Sequence, residues 1–178
     1  MKKRKSIYIV LVTIGIFCFY SCQTIPKDVV AVKPFYQEKY LGKWYEIARL
    51  DFKFEKNLNN TTAEYSLRED GKIKVVNKGY NTKKEKWVAS TGKAKFVGDS
   101  KVAMLKVSFF GPFYAGYNII AIDDDYKYAL VAGRNLDYLW ILSRETTIPD
   151  NIKNDYLKIA HDIGYRTDEL IWVKHDKK

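Results

Sequence analysis

Apolar and polar residues alternate along much of the chain after residue 42, which is the pattern of strands with one buried face. Ala63, Tyr65 and Leu67, for example, are separated by polar residues. Eight such runs are divided by turn-forming residues such as Glu69-Asp70-Gly71, which suit tight hairpins. The runs cover residues 44–50, 62–68, 72–80, 86–97, 101–110, 115–123, 127–133 and 138–144. Their number and near-regular spacing predict an antiparallel up-and-down barrel or a sandwich.

One segment near the C-terminus has the period of a helix instead. Its apolar residues recur at helical spacing: Ile152, Tyr156, Ile159 and Ile163. We therefore predict an amphipathic helix over residues 150–163 that packs on the outside of the sheet and ends at Gly164. Residues 171–173 predict one last short strand.

The N-terminus has the features of a secretory signal. Basic residues at positions 2–5 precede an apolar run at residues 7–20, which is shorter than the roughly 20 residues needed to span a bilayer. Ser21 before Cys22 resembles the cleavage site of bacterial lipoproteins, whose cysteine is acylated and becomes the mature N-terminus. We expect residues 1–21 to be the signal peptide, residues 22–33 a lipidated N-terminus and polar tether, and residues 34–178 the barrel domain. An uncleaved anchor helix is the alternative.

Composition narrows the choice of function. The 178 residues suit a single domain; they carry a formal net charge of +10, include 15% aromatic residues and contain only two His and two Cys. That is too few for a disulfide framework or for a metal site with several His or Cys ligands. Cleavage before Cys22 removes four positive charges and Cys18, which leaves a net charge of +6 and one acylated thiol. The aromatic excess persists and predicts an apolar interior.

Three segments resemble the sequence motifs of lipocalins. Gly42-Lys43-Trp44 is similar to the G-x-W motif that opens their first strand, residues 125–131 resemble the second motif, and residues 140–144 resemble the third. Residues 107–118 are closer still to the bacterial outer-membrane lipocalins, which are similar to apolipoprotein D. The resemblance covers residues 35–173 and implies an all-β fold: an eight-stranded antiparallel up-and-down β-barrel with one C-terminal α-helix packed outside and a short final strand.

The same resemblance gives structural roles to Gly42, Trp44 and Arg144. Trp44 is expected to close one end of the barrel. Arg144 shares the strand parity of Trp140, so its guanidinium is expected over the indole face of Trp44. Such a cation–π contact is worth about 1–2 kcal/mol when it is partly desolvated.

Strand parity also predicts the residues around an interior cavity. The expected wall residues are Tyr65, Leu67, Phe96, Leu105, Val107, Tyr117, Tyr138 and Trp140. The lipocalin topology puts the loops at residues 51–61, 80–86, 110–115 and 133–137 at the open mouth. The aromatic residues Phe110, Phe113 and Tyr114 then either guide an acyl chain or touch a membrane, or they fold inward and cap the barrel. Both interpretations stay open at this point.

The resemblance implies an outer-membrane protein, anchored by acylated Cys22, that reversibly binds a fatty acid or lysophospholipid and uses no cofactor or metal. A structural envelope lipoprotein with a filled barrel is the alternative. An enzyme is disfavoured because His161 and His175, both expected at the surface, accompany no nucleophile in a recognisable motif. Nucleic-acid binding is disfavoured because the basic residues are scattered and no RNA-binding motif is present. Whether two copies form a homodimer stays open.

Overall fold

A computed structural model of the protein describes residues 24–177. Its strands are β1 (Gly42–Arg49), β2 (Leu58–Leu67), β3 (Ile73–Asn81), β4 (Lys86–Phe96), β5 (Met104–Phe110), β6 (Phe113–Ile122), β7 (Tyr128–Ala132), β8 (Leu139–Ser143) and β9 (Ile171–Trp172). Strands β1 to β8 pair in order, and β1 pairs with both β2 and β8, so the sheet closes on itself. β9 adds a short antiparallel pairing to β1. The predicted eight-stranded up-and-down barrel is confirmed, and a sandwich is excluded.

Within residues 24–177, two α-helices accompany the barrel, α1 (Gln37–Tyr40) and α2 (Asp150–Ile163). α2 has the bounds that its sequence pattern predicts. It ends because Gly164 adopts a left-handed conformation, with φ of 104°, and its backbone N–H donates back to the last helical turn,. Tyr156 and Ala160 pack against the outer side of the barrel, and the Tyr156 hydroxyl donates to the Tyr128 carbonyl at 2.9 Å. The sequence pattern gave no indication of the short helix α1.

β2 begins earlier than its alternation pattern indicates, at Leu58 instead of residue 62. The pairing register with β3 shifts between Asn59 and Thr62, and Asn60 has a positive φ of 54°, so the strand bulges there and the alternation is interrupted. The C-terminal tail satisfies the displaced backbone, since the Asn60 N–H donates to the Lys174 carbonyl at 2.8 Å.

The end of the barrel around Trp44, called the closed end below, is sealed by this residue and Arg144. Trp44 is fully buried, and its indole Nε1 donates to the Tyr40 carbonyl at 2.8 Å. The Arg144 guanidinium carbon lies 3.9 Å from the centroid of the Trp44 ring, in the arrangement expected from the sequence. Gly42 lies close by with a φ of 93°, a backbone conformation that favours glycine, and a Cβ there would lie 3.4 Å from Arg144 Nη1,. Gly42, Trp44 and Arg144, which belong to two separate sequence motifs, therefore lie together at the closed end.

Arg144 also donates hydrogen bonds to backbone carbonyls that have no partner within α1. Its Nη2 donates to the carbonyls of Lys39 and Leu41 at 2.8 and 2.9 Å, and its Nη1 donates to the Lys43 carbonyl at 2.7 Å. The last carbonyls of a helix have no partner inside the helix. The planar guanidinium therefore joins α1 and the start of β1 to the end of β8.

The described part of the segment before the barrel, residues 24–33, is folded, which corrects the expectation of a polar tether there. The Val32 N–H donates to the Ile119 carbonyl, and the Val32 carbonyl accepts from the Ala103 N–H, both at 2.9 Å. Nearer the N-terminus, the Thr24 carbonyl accepts a hydrogen bond from Asn118 Nδ2 at 2.7 Å. Apolar residues within the polar sequence explain this, since Ala31 and other small or apolar side chains pack onto the core.

The predicted signal peptide and the predicted acylation site, Cys22, lie outside the described residues. Between residues 24 and 177, α2 is the longest helix, and no helix is both long and apolar enough to cross a bilayer.

Replacement of Arg144 by Met is expected to lower the free energy of unfolding by about 3 kcal/mol, because it removes a cation–π contact and leaves several carbonyls without a partner. Urea denaturation of the variant measures this loss. Arg68→Met is the matched control, since Arg68 pairs with Asp70 on an exposed hairpin and such pairs contribute less than about 1 kcal/mol. Equal midpoints for the two variants would rule out the sealing role of Arg144.

Candidate ligand-binding cavity

A cavity of about 570 Å³ lies inside the barrel, above the seal formed by Trp44 and Arg144. Its volume is within the range of pockets that hold small organic ligands, about 300–1,000 Å³. Its wall is mostly apolar and aromatic, and it includes residues from β1 to β6 and from β8. The interior faces of these strands are therefore not completely filled by side chains.

Six of the eight predicted wall residues border this cavity: Tyr65, Leu105, Val107, Tyr117, Tyr138 and Trp140. The prediction is wrong for the other two. Leu67 is 58% exposed, because β2 extends past the pairing of Tyr65 with Gly42 at the closed end. Phe96 packs against Phe35, at a centroid distance of 6.1 Å, outside the cavity lining. Parity identifies the inward face of a strand but does not indicate where the cavity ends along it.

The predicted mouth residues Phe110, Phe113 and Tyr114 border the cavity at its open end. Phe110 and Phe113 are 65% and 78% exposed, so neither ring folds inward as a cap. Phe54, in the segment between β1 and β2, is 62% exposed and lies 5.9 Å from the Phe110 ring centroid. These three phenylalanines are called the mouth aromatics below. Sequence reasoning missed Phe54 because its loop shows no alternation.

Aromatic rings line one side of the cavity from the mouth inward. The Phe54 ring lies 6.3 Å from Phe52, Phe52 lies 5.7 Å from Trp140, and Trp140 lies 6.3 Å from Tyr117. These distances fit tilted and edge-on aromatic pairs. A ligand that enters the cavity therefore meets flat, polarizable surfaces along its length.

Three charged residues form a buried cluster in the wall: Glu46, Arg49 and Glu55. Arg49 Nη1 donates to Glu46 Oε1 at 2.6 Å, and its Nη2 donates to the backbone carbonyls of Glu55 and Leu58 at 2.9 and 3.0 Å. The Arg49 Nε has no hydrogen-bond partner and lies 3.7 Å from Glu55 Oε2. Both carboxyls face the cavity. The guanidinium thus ties the loop after β1 to the barrel wall.

The two carboxyls of this cluster are harder to ionise than ordinary glutamates. Burial raises the pKa of Glu55 well above its usual value, and the neighbouring Glu46 carboxylate raises it further. Burial also raises the pKa of Glu46, although the Arg49 guanidinium opposes this. Trp140 Nε1 donates to Glu55 Oε2 at 3.3 Å. The sequence does contain one indication of this cluster. Glu46 is a carboxylate two positions after Trp44, so both side chains lie on the inward face of β1.

The floor of the cavity carries three tyrosine hydroxyls, on Tyr40, Tyr65 and Tyr117. The Tyr117 hydroxyl lies 2.7 Å from that of Tyr40 and 2.6 Å from that of Tyr65. Burial raises the pKa of each of these phenols above its ordinary value, so all three keep their protons at neutral pH. Tyr40 belongs to α1, which the sequence did not predict, and its place in this group was therefore not foreseen.

The described His, Asp and Glu residues outside the cavity do not form a metal-binding group. Within residues 24–177, no three His, Cys, Asp or Glu side chains are grouped to hold a metal ion. His161 is exposed on α2, as expected. His175 differs from the expectation of a surface residue, since it is partly buried and its Nε2 lies 2.8 Å from the Glu46 carbonyl. There it helps the C-terminal tail to cover β1.

Replacement of Glu55 by Gln is expected to raise the free energy of unfolding at pH 8, because the neutral amide does not carry the charge that burial penalises,. The pKa of Glu55 is raised in the folded protein, so its contribution to stability is present below its ordinary pKa of 4.5 and is lost as the pH rises through the folded value. Thermal unfolding between pH 4.5 and 9 measures this dependence. It should be shallower in the variant.

Glu64→Gln is the matched control, because Glu64 lies on the exposed face of β2. It should leave the pH dependence unchanged. A wild-type slope that is retained in Glu55→Gln would contradict the assignment of this titration to Glu55.

Known proteins resemble this chain in sequence and in fold. Residues 37–175 match the family of lipocalin-like domains. The outer membrane lipoprotein Blc of Citrobacter freundii is 56% identical over 154 residues, which cover 86% of this chain and 87% of that protein. Blc of Escherichia coli K12 is 52% identical over 154 residues, with the same coverage of both chains. The names of these relatives agree with the predicted lipoprotein signal and envelope location.

Among solved structures, insecticyanin from the tobacco hornworm Manduca sexta has the same fold, with a TM-score of 0.67 and 20% identity. The match covers 85% of this chain and 86% of insecticyanin. The closed barrel, the Trp44–Arg144 seal, the family match and the identity to Blc lead to one conclusion. The chain belongs to the lipocalin family.

Proposed function

We propose that this lipocalin is anchored in the outer membrane and reversibly binds a single-chain lipid, a fatty acid or a lysophospholipid, in the barrel cavity. The observation that carries the proposal is the apolar cavity of about 570 Å³ with an open mouth. Burial of an aliphatic chain contributes about 0.8 kcal/mol per methylene, or roughly 8 kcal/mol for ten carbons before ordering costs. That free energy supports micromolar binding or better. The proposed activity is binding, without catalysis.

The charges around the cavity favour a lipid whose polar head stays at the mouth. Glu46 and Glu55 border the cavity, and a ligand carboxylate or phosphate beside these acidic groups would be buried without a free counter-charge. Lys53 and Arg134 lie at the mouth, where Lys53 Nζ is 4.8 Å from the Phe54 ring centroid and Arg134 borders the cavity. An anionic head therefore finds its complement at the mouth, while the chain fills the apolar interior.

The attachment of the N-terminal segment favours a mouth that faces the anchoring membrane. Asn118 Nδ2 donates both to the Thr24 carbonyl at 2.7 Å and to the Gly133 carbonyl at 3.2 Å. Gly133 begins the loop that carries Arg134 to the mouth. A Cβ on Gly116 would overlap the Thr24 carbonyl, so this segment lies tightly on β6. Thr24, which follows the predicted acylation site by two positions in the sequence, is therefore held beside the loop that begins at Gly133.

The mouth aromatics are suited to contact a membrane surface. Three exposed phenylalanines in one patch are unfavourable in water unless another surface covers them. Lys53 lies beside the patch, and the ammonium groups of Lys95 and Lys106 lie 5.2 and 5.6 Å from the ring centroid of Tyr114, which follows Phe113. Positive charge beside apolar side chains complements an anionic lipid surface. Lipid transfer between bilayer and cavity then needs no passage through water.

Titration of the soluble segment 23–178 with a brominated fatty acid tests the binding proposal, because bromine quenches nearby tryptophan fluorescence. We expect saturable quenching in the wild type and its loss in Trp140→Phe, since Trp140 borders the cavity. Trp87→Phe is the control, because Trp87 lies on the outer face of β4 beside Lys78 and should not affect quenching. Absence of saturable quenching would favour the filled-barrel lipoprotein instead.

A Phe54→Ser, Phe110→Ser and Phe113→Ser triple variant tests the membrane contact. We expect its partitioning to vesicles of phosphatidylglycerol and phosphatidylcholine to fall about tenfold or more, since each buried Phe contributes about 1.5–3 kcal/mol. Co-sedimentation of the non-lipidated segment with vesicles measures this change. Leu67→Ser is the control, because Leu67 is equally apolar and exposed but lies at the closed end. An equal loss of vesicle partitioning in the triple variant and in Leu67→Ser would argue against a specific membrane contact by the mouth.

A further inference from the structure

A second cavity, of about 450 Å³, lies on the outside of the barrel. One of its sides is formed by Tyr45, Thr62 and Lys78, which are opposite one another on β1, β2 and β3. Tyr45 points outward because the preceding Trp44 is buried inside the barrel and neighbouring residues of a strand face opposite ways. Residues 175–177 of the C-terminal tail form the other side. This cavity is called the outer groove below.

Two asparagines of β2 hold the C-terminal tail beside the outer groove. Asn60 Nδ2 donates to Asp176 Oδ1 at 3.1 Å, and Asn60 Oδ1 accepts from the Lys177 N–H at 2.8 Å. Asn59 Oδ1 accepts from the Lys174 N–H at 3.2 Å. Asn60 adopts a positive φ, a conformation that asparagine tolerates better than most residues. The bulge of β2 therefore fixes a lysine-rich tail against the barrel.

Aromatic rings orient the lysines that line the outer groove. These lysines are Lys43, Lys78 and Lys177. Their Nζ atoms lie 4.4, 4.5 and 4.4 Å from the ring centroids of Tyr45, Trp87 and Tyr80, respectively. A cation–π contact holds an ammonium group over a ring without neutralising its charge. The three positive charges therefore stay available to a ligand.

The protein itself does not balance these charges. Within residues 24–177, none of the three lysines forms an ion pair. Asp176 is the one carboxylate among the described residues of the groove lining, and Asn60 already donates to it. Glu64 is opposite Lys43 in the pairing of β1 with β2, but it does not line the groove. Like charges around one groove repel one another, and a bound anion relieves this repulsion.

The chemistry of the lining suits a phosphate group. The lysines come from β1, β3 and the tail, and each ammonium group is a compact charge with three donors. A phosphate group presents acceptor oxygens in several directions, whereas a carboxylate has two oxygens in one plane. Thr62 adds a hydroxyl donor between the strands. We propose that the outer groove binds a phosphate group and that Lys43, Lys78 and Lys177 are its charged donors.

This site goes beyond the proposed function, because it lies outside the barrel and does not depend on a lipid chain in the interior. Two sources present the same group to the lysines. One is the phosphate of an anionic lipid headgroup, and the other is a free phosphate in solution. The experiment therefore has one arm for each source.

The test records the tryptophan indole ¹⁵N–¹H NMR signals of the full chain in dodecyl maltoside micelles, which contain no phosphate. One arm adds inorganic phosphate at constant ionic strength, and the other mixes phosphatidylglycerol into the micelles. The Trp87 signal reports on the outer groove, and the Trp140 signal reports on the barrel cavity. A saturable Trp87 shift with inorganic phosphate supports a site for the free anion, and a shift with phosphatidylglycerol alone supports a site for the headgroup.

We expect Lys78→Gln combined with Lys177→Gln to raise the apparent dissociation constant of the effective probe about tenfold or more, because two charge-assisted hydrogen bonds are lost. Lys39→Gln combined with Lys153→Gln is the matched control. It removes the same charge from lysines that also lie over aromatic rings, but outside the groove lining. Its effect should stay within about twofold, since distant charges are screened. Unchanged urea midpoints verify that both variants fold.

Three results overturn the inference. The first is the absence of a saturable Trp87 shift with both probes. The second is an equal weakening in the two double variants, which reports net charge instead of a site. The third is a shift of the Trp140 signal alone with phosphatidylglycerol. That result indicates entry into the barrel cavity, so it overturns the groove site and leaves the proposed function in place.

Discussion

The contact between Arg144 and Trp44 is the interaction on which the closed end of the barrel depends. A β-barrel of eight strands removes its sheet edges by closure but leaves both ends open. One planar guanidinium covers the Trp44 indole and pairs carbonyls at the end of α1 and the start of β1. A lysine has a single ammonium and no planar fork, so it cannot do both. Because this end is sealed, the interior is a cavity with a floor instead of a channel.

Polarity changes along the cavity in a definite order. The phenols of Tyr40, Tyr65 and Tyr117 lie at the floor, the Glu46 and Glu55 carboxyls border the wall, and Arg134 borders the cavity at the mouth. An amphiphile with an anionic head has one favourable orientation in such a gradient, with its head outward. In the proposed function, the buried carboxyls thus favour a lipid whose anionic head stays at the mouth.

Sequence reasoning could predict the features that depend on local periodicity. The alternation around Tyr65 and the helical spacing around Tyr156 correctly indicate strand and helix, since each follows from one buried face. Features that depend on distant segments were missed. Nothing next to Phe54 indicates that its loop reaches Phe110, and the polar residues around Ala31 hide a segment that packs on the barrel. The position of Leu67 beyond the floor depends on the register of β2 against β1, which parity alone does not contain.

The buried charge cluster has to be explained by something other than stability. Taking Glu46, Arg49 and Glu55 out of water is costly, and buried ion pairs often contribute less to folding than apolar residues of the same size. Arg49 nevertheless donates to the carbonyls of Glu55 and Leu58, which fixes both ends of the segment that carries Phe54. Apolar side chains could fill the same space, but they could not hold two carbonyls in register. The cluster therefore fixes the conformation of the loop at the mouth, where a ligand enters, although its burial lowers the stability of the fold.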